Sequence, residues 1–298
     1  MTVAELGGLV GPYYFPKAEW VTCQLMRPDG RLCEREHGEG WVARRKDGVE
    51  VLIGIDCANR WFEASREYAS EASRVRREIR VDELVDSINA RLNDAAFRER
   101  AGALAEIQRQ LLEQVLAARE SWPQTLLQRL RNMVKTGNRR VVVEFRYVEK
   151  DEKGGEHTTW QPVTLSSISG AEGLDAPAVR QLGDRLDQVA RVLVEAAPGR
   201  EAAESIMRGW RQSLDDLTRC ETELEQVTAA LADFHDHANL RPLCWLVHKD
   251  SDQRAIVRAI LEREGTVRPS EVLIQTTLNA WKAEVRATNQ GRDFRMTG

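Results

Sequence analysis

The chain has 298 residues, 42% hydrophobic and 30% charged, with a net charge of −4. That length and balance suit one large or two modest globular domains rich in amphipathic helices, and the acidic excess excludes a chain that traps nucleic acid by bulk charge. No apolar run reaches the roughly 18 residues needed to cross a bilayer, so no membrane helix is expected.

The first twenty residues lack a basic start and carry Glu5 before a short apolar stretch. No secretory signal is expected, and the cytoplasm is the default location. Arginine outnumbers lysine 36 to 7, a bias that fits a GC-rich bacterial genome.

Residues 1–62 read as β-like and turn-rich, the first of four expected segments. Trp20–Met26 forms a candidate strand, Pro28-Asp29-Gly30 a turn, and Arg31–Cys33 the return arm. The pattern repeats as Gly40–Arg44, a Lys46-Asp47-Gly48 turn, and Val49–Gly54. Two successive hairpins are predicted, followed by a helix that Asp56 caps and that begins near Cys57.

Residues 63–138 read as a helical hairpin or coiled coil. Tyr68, Ala72, Val75 and Ile79 share one face; Asp82 is expected to cap a second piece and Asp94 a third. The third stripe is Phe97, Ala101, Leu104, Ile107, Leu111 and Val115. Pro123 suits the start of another helix.

An inserted β-hairpin is predicted over 139–170. Arg140–Val148 is rich in β-branched and aromatic residues, Asp151–Gly155 makes the loop, and His157–Leu165 returns. Helices resume over 171–298. They start at Asp175-Ala176-Pro177, break at Pro198-Gly199, and run from Arg200 to Phe234, Ser251 to Glu264 and Ser270 to about Thr288. The fold class expected is therefore α+β, mainly α: a small zinc-stabilised, treble-clef-like β-hairpin module followed by an elongated helical body with an inserted hairpin.

Chemistry concentrates near the N-terminus. Three of the five cysteines fall within the first 57 residues, in the spacing Cys-x9-Cys-x3-His-x19-Cys. Zn²⁺ needs four thiolate or imidazole donors converging at about 2.0–2.3 Å. Cys23 and Cys33 stand on opposite arms of the first hairpin. His37 follows in a glycine-flanked loop, and Cys57 enters in the first helical turn, where the dipole favours a thiolate. Four protein donors make a closed, structural site for one Zn²⁺. The alternative is three ordinary buried thiols and a surface histidine. Trp20 and Trp41, beside the knuckle, are expected to shield the sulfurs, or else to stack on a base.

Other groupings carry less. His235, His237, Cys244 and His248 could form a second metal site, but their apolar surroundings favour a helix junction in a core. The helix–Gly265–helix pattern could be part of a DNA-reading helix-turn-helix, or the commoner αα-hairpin. Arg129, Arg131, Lys135, Arg139 and Arg140 make a run without acids; Arg27, Arg31, Arg44, Arg45 and Lys46 decorate the N-terminal module. These ten are the candidate contacts to a partner.

No phosphate-binding glycine loop, nucleophile elbow or metalloprotease motif is present. The reading is a non-catalytic binding or regulatory protein. Its zinc module would contact nucleic acid or a protein partner, with the helices as scaffold or homo-oligomer interface. A helical interaction scaffold without nucleic-acid binding is one alternative. A hydrolase or nuclease with a diffuse acidic site, such as the pair Asp233/Asp236, is another.

Overall fold

Two glycines in the left-handed region, Gly30 (φ +84°) and Gly48 (φ +90°), turn the chain back on itself twice. The computed structural model, which describes residues 1–62, 65–150, 155–195, 199–200 and 202–297, contains both hairpins. The first is short. Strands β2 (Val21–Thr22) and β3 (Glu36–His37) pair antiparallel, and a single bridge joins Met26 to Leu32 beyond them. The second is regular, with β4 (Glu39–Arg45) against β5 (Glu50–Gly54) and Trp41 opposite Ile53.

Sequence patterning misses one strand here. Residues Leu6–Tyr14 form β1, which pairs antiparallel with β4 and gives a three-stranded sheet of order β1-β4-β5. Gly7, Gly8, Gly11 and Pro12 dilute its β-propensity. The register shifts between Leu6 and Gly8, and between Leu9 and Gly11. A Cβ on Gly7 would lie 2.9 Å from the Arg45 carbonyl oxygen, so glycine permits the close approach of β1 to β4.

Helix α1 (Ile55–Phe62) follows β5 directly. It starts two residues before Cys57, so Asp56 lies in its first turn instead of capping it. Helix α2 (Arg66–Leu92) is capped by Ser65, whose hydroxyl accepts the Tyr68 N–H. It runs unbroken through Asp82, with no glycine or proline to stop it. The Asp82 carboxylate pairs with Arg200 at 2.9 Å instead of capping a helix. Tyr68, Ala72 and Val75 join Leu6, Leu9, Leu25, Trp41, Ile53 and Phe62 in one core. Fully burying a side chain such as Ile53 or Phe62 contributes about 1.5–3 kcal/mol. Arg74 Nη2 donates to the Leu9 carbonyl at 2.9 Å, and the Leu9 N–H donates to Glu71 Oε2 at 3.1 Å, tying α2 to β1.

The chain divides into two units, Met1–Asn93 with Ala196–Arg211, and Asp94–Glu195 with Gln212–Gly298. In the second, α3 (Ala95–Glu120) is capped by Asp94, which accepts from the Ala96 and Phe97 N–H groups. Helix α4 (Gln124–Thr136) ends on Gly137 at φ +70°. The central hairpin is β6 (Arg140–Lys150) with β7 (Glu156–Ser167). The expected loop at Asp151–Gly155 falls outside the described residues except for Gly155. A short C-terminal strand, β8 (Phe294–Met296), adds to β6, so the hairpin becomes a three-stranded sheet of order β7-β6-β8.

Helices α5 (Ala176–Val194), α6 (Glu204–Phe234), α7 (His237–Leu240), α8 (Asp250–Arg263) and α9 (Glu271–Thr288) complete the chain. Ile107, expected on the inward stripe of α3, faces outward, as does Ile206 on α6. Ile107 and Ile206 are about half exposed, while Gln108 and Met207 are buried. Gln108 is satisfied there because its Nε2 donates to the Val179 carbonyl on α5 at 2.9 Å. The architecture is mainly helical with small β-sheets. No helix among the described residues is long and apolar enough to cross a membrane.

Candidate metal centre

The two arms of the first hairpin and the first turn of α1 deliver one thiol each to a common point. Cys23 follows β2 and donates its N–H to the Arg35 carbonyl; Cys33 lies on the return arm and donates its N–H to the Leu25 carbonyl. Cys57 comes from the first turn of α1. All three are buried and reduced, and their sulfurs lie within 4.8 Å of one another. Cys33 Sγ and Cys57 Sγ are 3.4 Å apart. With metal–sulfur bonds of about 2.3 Å, the sulfurs of a tetrahedral site stand about 3.8 Å apart. The donor set therefore fits a tetrahedral, thiolate-preferring ion.

The thiols are electrostatically unequal. Burial, followed by the neighbouring thiols, pushes Cys57 up to about 12. Burial also opposes ionisation of Cys33. Hydrogen bonds from the Arg35 backbone, the Cys57 and Cys23 thiols and Arg27 outweigh it and hold Cys33 below its ordinary value. Burial thus opposes a thiolate at Cys57 despite the helix dipole, whereas the hydrogen bonds around Cys33 favour one there. A divalent cation would override that difference by deprotonating every thiol it binds.

His37 is not part of the three-thiol group. Its ring packs over Gly54, where an added Cβ would meet Cδ2 at 2.8 Å, and its Nδ1 is 2.5 Å from the Tyr13 hydroxyl. Burial lowers the imidazole's affinity for protons, which favours the neutral, ligand-competent form. Burial raises the Tyr13 hydroxyl above its ordinary value, and the neighbouring Cys23 and Cys57 sulfurs raise it further. Tyr13 lies on β1, the strand that patterning missed; the aromatic run Tyr13-Tyr14-Phe15 is the only sequence signal for it.

The two tryptophans part company. Trp41 is 2% exposed within the core, whereas Trp20 is 45% exposed and lines a cleft together with Cys57.

Much of the basic decoration is already engaged. Arg27 Nη2 donates to the Cys33 carbonyl at 2.7 Å. Arg44 pairs with Glu50 at 2.8 Å, and Arg45 with Glu5 and Asp47. Arg129 donates to the Thr297 carbonyl, and Arg139 pairs with Glu172. Exposed pairs of this kind contribute little and can change partners. Arg31, Lys46, Lys135 and Arg140 are exposed, and Arg131 lines a small cleft beside Glu172 and Asp175.

No family model, curated protein or solved structure matches this chain.

Among the described residues, Cys23, Cys33 and Cys57 are the one group of three donors close enough to share a cation. In the second histidine–cysteine region, Cys244 is fully buried, His237 Nε2 meets Glu264 at 2.6 Å, and His235 is half-buried against Phe234. Cys244 belongs to a packed core, whereas His237 and His248 are exposed, so the four do not converge on a shared ion. Asp236 caps α7 through the Ala238 N–H, which commits one carboxylate of the Asp233/Asp236 pair to structure. Helices α8 and α9 form an αα-pair, joined by the Lys282–Asp250 and Arg258–Glu271 ion pairs.

Proposed function

We propose that Cys23, Cys33 and Cys57 hold one zinc ion with His37 as the fourth donor, and that the module so closed is the binding head of a non-catalytic protein whose target is nucleic acid. The observation that carries this is the convergence of three buried, reduced thiols from three separate segments. Zinc suits the set because thiolate and imidazole are its preferred ligands and a reducing cytoplasm keeps such thiols free.

With Nδ1 2.5 Å and Nε2 3.5 Å from the Tyr13 hydroxyl, Nε2 is the nitrogen His37 would turn to the metal, and the ring must shift to bring it into the thiols' cluster. A metal-bound histidine characteristically directs its second nitrogen to an outer partner of this kind. Four protein ligands leave no open position for substrate, so the ion would stabilise the module without activating water. The β2–β3 ladder has only two residue pairs, and a metal cross-link would supply the cohesion it lacks. The α-helices following the module would serve as scaffold.

The direct test is retention on heparin and a gel shift with a mixed-sequence oligonucleotide, run at stepped salt before and after zinc removal. Binding that weakens steeply with salt and is lost with the metal supports the proposal. No binding at low salt with zinc in place rejects nucleic acid as the target.

A second reading draws on Val267, Val272 and Leu273 at the α8–α9 turn, which are 88%, 76% and 41% exposed. Apolar residues gathered on a surface suit a protein contact. Light scattering and co-purification test that version; a strict monomer with no partner argues against it.

A further inference from the structure

Two clefts flank the thiol cluster, and they share Arg35 and Cys57 in their walls. One, of about 310 Å³, is lined by Tyr14, Trp20 and Arg35. The other, of about 380 Å³, is lined by Arg27, Arg35, Arg60 and Trp61. Both volumes fall in the range of about 300–1,000 Å³ common to ligand clefts. The first is aromatic and open: Tyr14 is 79% exposed and Trp20 45%. The second is basic. Arg27 is held in place by its bond to the Cys33 carbonyl, and Arg60 lies over the Trp61 ring at 4.8 Å.

Guanidinium groups that converge on one cleft repel one another unless anions separate them. Asp29 is the single carboxylate in that wall, and its Oδ1 already accepts the Arg31 N–H. Among the described residues neither Arg35 nor Arg60 pairs with a carboxylate. A three-thiolate zinc centre would carry one net negative charge, which Arg27 at the Cys33 carbonyl is placed to balance. Arg35 and Arg60 remain for an external anion. Guanidinium is suited to phosphate, since its fork matches two phosphate oxygens at once.

On the other side, two exposed aromatic rings offer flat faces with no apolar core to join. Glu36, Glu39 and Asp56 line the same cleft with Lys17, and carboxylates there would accept hydrogen bonds from exocyclic amino groups of bases. Stacking rings beside a basic groove form the combination that grips an unpaired strand, because only a single strand can splay its bases onto rings while its backbone follows the cations. A duplex keeps its base faces stacked internally.

We infer that the two clefts form one continuous track for single-stranded nucleic acid across the metal end of the module, with bases stacked on Tyr14 and Trp20 and phosphates on Arg35 and Arg60. This rests on the reading of the module as a nucleic-acid-binding head and specifies which form of nucleic acid it takes.

The test measures fluorescence anisotropy of labelled single-stranded DNA and RNA of about twelve nucleotides, spanning a typical single-strand site. The same sequence as duplex is the third probe, all with the full-length, zinc-loaded chain. The single strand should bind at least about tenfold tighter than the duplex, and the tighter of the two single strands identifies the sugar preferred. Tyr14→Ala should weaken it about tenfold and leave the salt slope unchanged. Arg60→Ala should weaken it and lower the slope by about 0.7, the value for one phosphate contact on a single strand. Zinc per chain, read in parallel, should not change in either variant. Equal affinity for duplex, or wild-type affinity in both variants with zinc intact, overturns the track alone. A zinc-loaded wild type that binds neither form at low salt overturns the nucleic-acid reading beneath it as well.

Discussion

Tyr13→Phe removes one oxygen and little else. The ring keeps its contacts with Phe15 and His37, whose centroids lie 5.0 and 5.7 Å away. What is lost is the 2.5 Å bond between the hydroxyl and His37 Nδ1. In the metal-free protein that is one partly buried hydrogen bond, costing about 1 kcal/mol of stability. If His37 binds zinc through Nε2, the hydroxyl is its outer-shell partner, and such partners set metal affinity by about 10–100-fold. That range corresponds to about 1.4–2.7 kcal/mol. Competition against a chromophoric chelator at neutral pH reads the affinity, and thermal melts of the metal-free forms read the structural cost separately. The expected result is a zinc affinity at least about tenfold weaker in the variant, with the loss reappearing in the holoprotein's melting because bound metal stabilises by mass action. An unchanged affinity beside a small drop in metal-free stability would refute the assignment of His37 as a ligand.

Further outcomes follow from packing and burial. Gly40→Ala would set a Cβ 2.0 Å from the Ile53 carbonyl oxygen and 2.7 Å from the Tyr13 hydroxyl. It should destabilise the N-terminal sheet by about 3 kcal/mol, read in a denaturant titration. Phe145→Ala, at a fully buried ring 5.8 Å from Phe294, should cost the second unit about 3–5 kcal/mol in the same assay. Burial, aided by Arg263, lowers the His235 pKa to about 4, well below its unfolded value of about 6.5. The unfolded chain therefore binds the extra proton first. Stability should be at full strength above pH ~6.5 and fall, by on the order of 2 kcal/mol, as the pH drops towards ~4. A His235→Gln variant whose pH profile keeps the wild-type slope in that window would contradict this.

Local rules of chain chemistry accounted for the helix starts at Asp94, Asp175 and Ser270, because each side chain satisfies backbone N–H groups that its own helix cannot. The central hairpin was legible for a similar reason, as Val141, Val143 and Phe145 alternate inward on β6. Long-range pairing was not. Strand β1 is weak by propensity and exists because β4 offers it an edge; β8 is three residues long and joins β6 from more than 140 residues away. The α2 helix overrode Asp82 because a helix-compatible aspartate starts a helix only where the preceding turn fails to continue. Spacing alone brought the three cysteines into view. The partner of His37 was hidden because Tyr13 reaches it only through the β1–β4 register, which sets Tyr13 opposite Gly40.

Zinc content per folded chain is the most direct test of the metal centre. Protein expressed without added chelators and freed of loosely bound metal should carry one equivalent by elemental analysis. Cys57→Ser should carry none and melt at a lower temperature. Wild-type protein that folds cooperatively with no bound metal, and a Cys57→Ser variant equally stable, would show that Cys23, Cys33 and Cys57 are core thiols and nothing more.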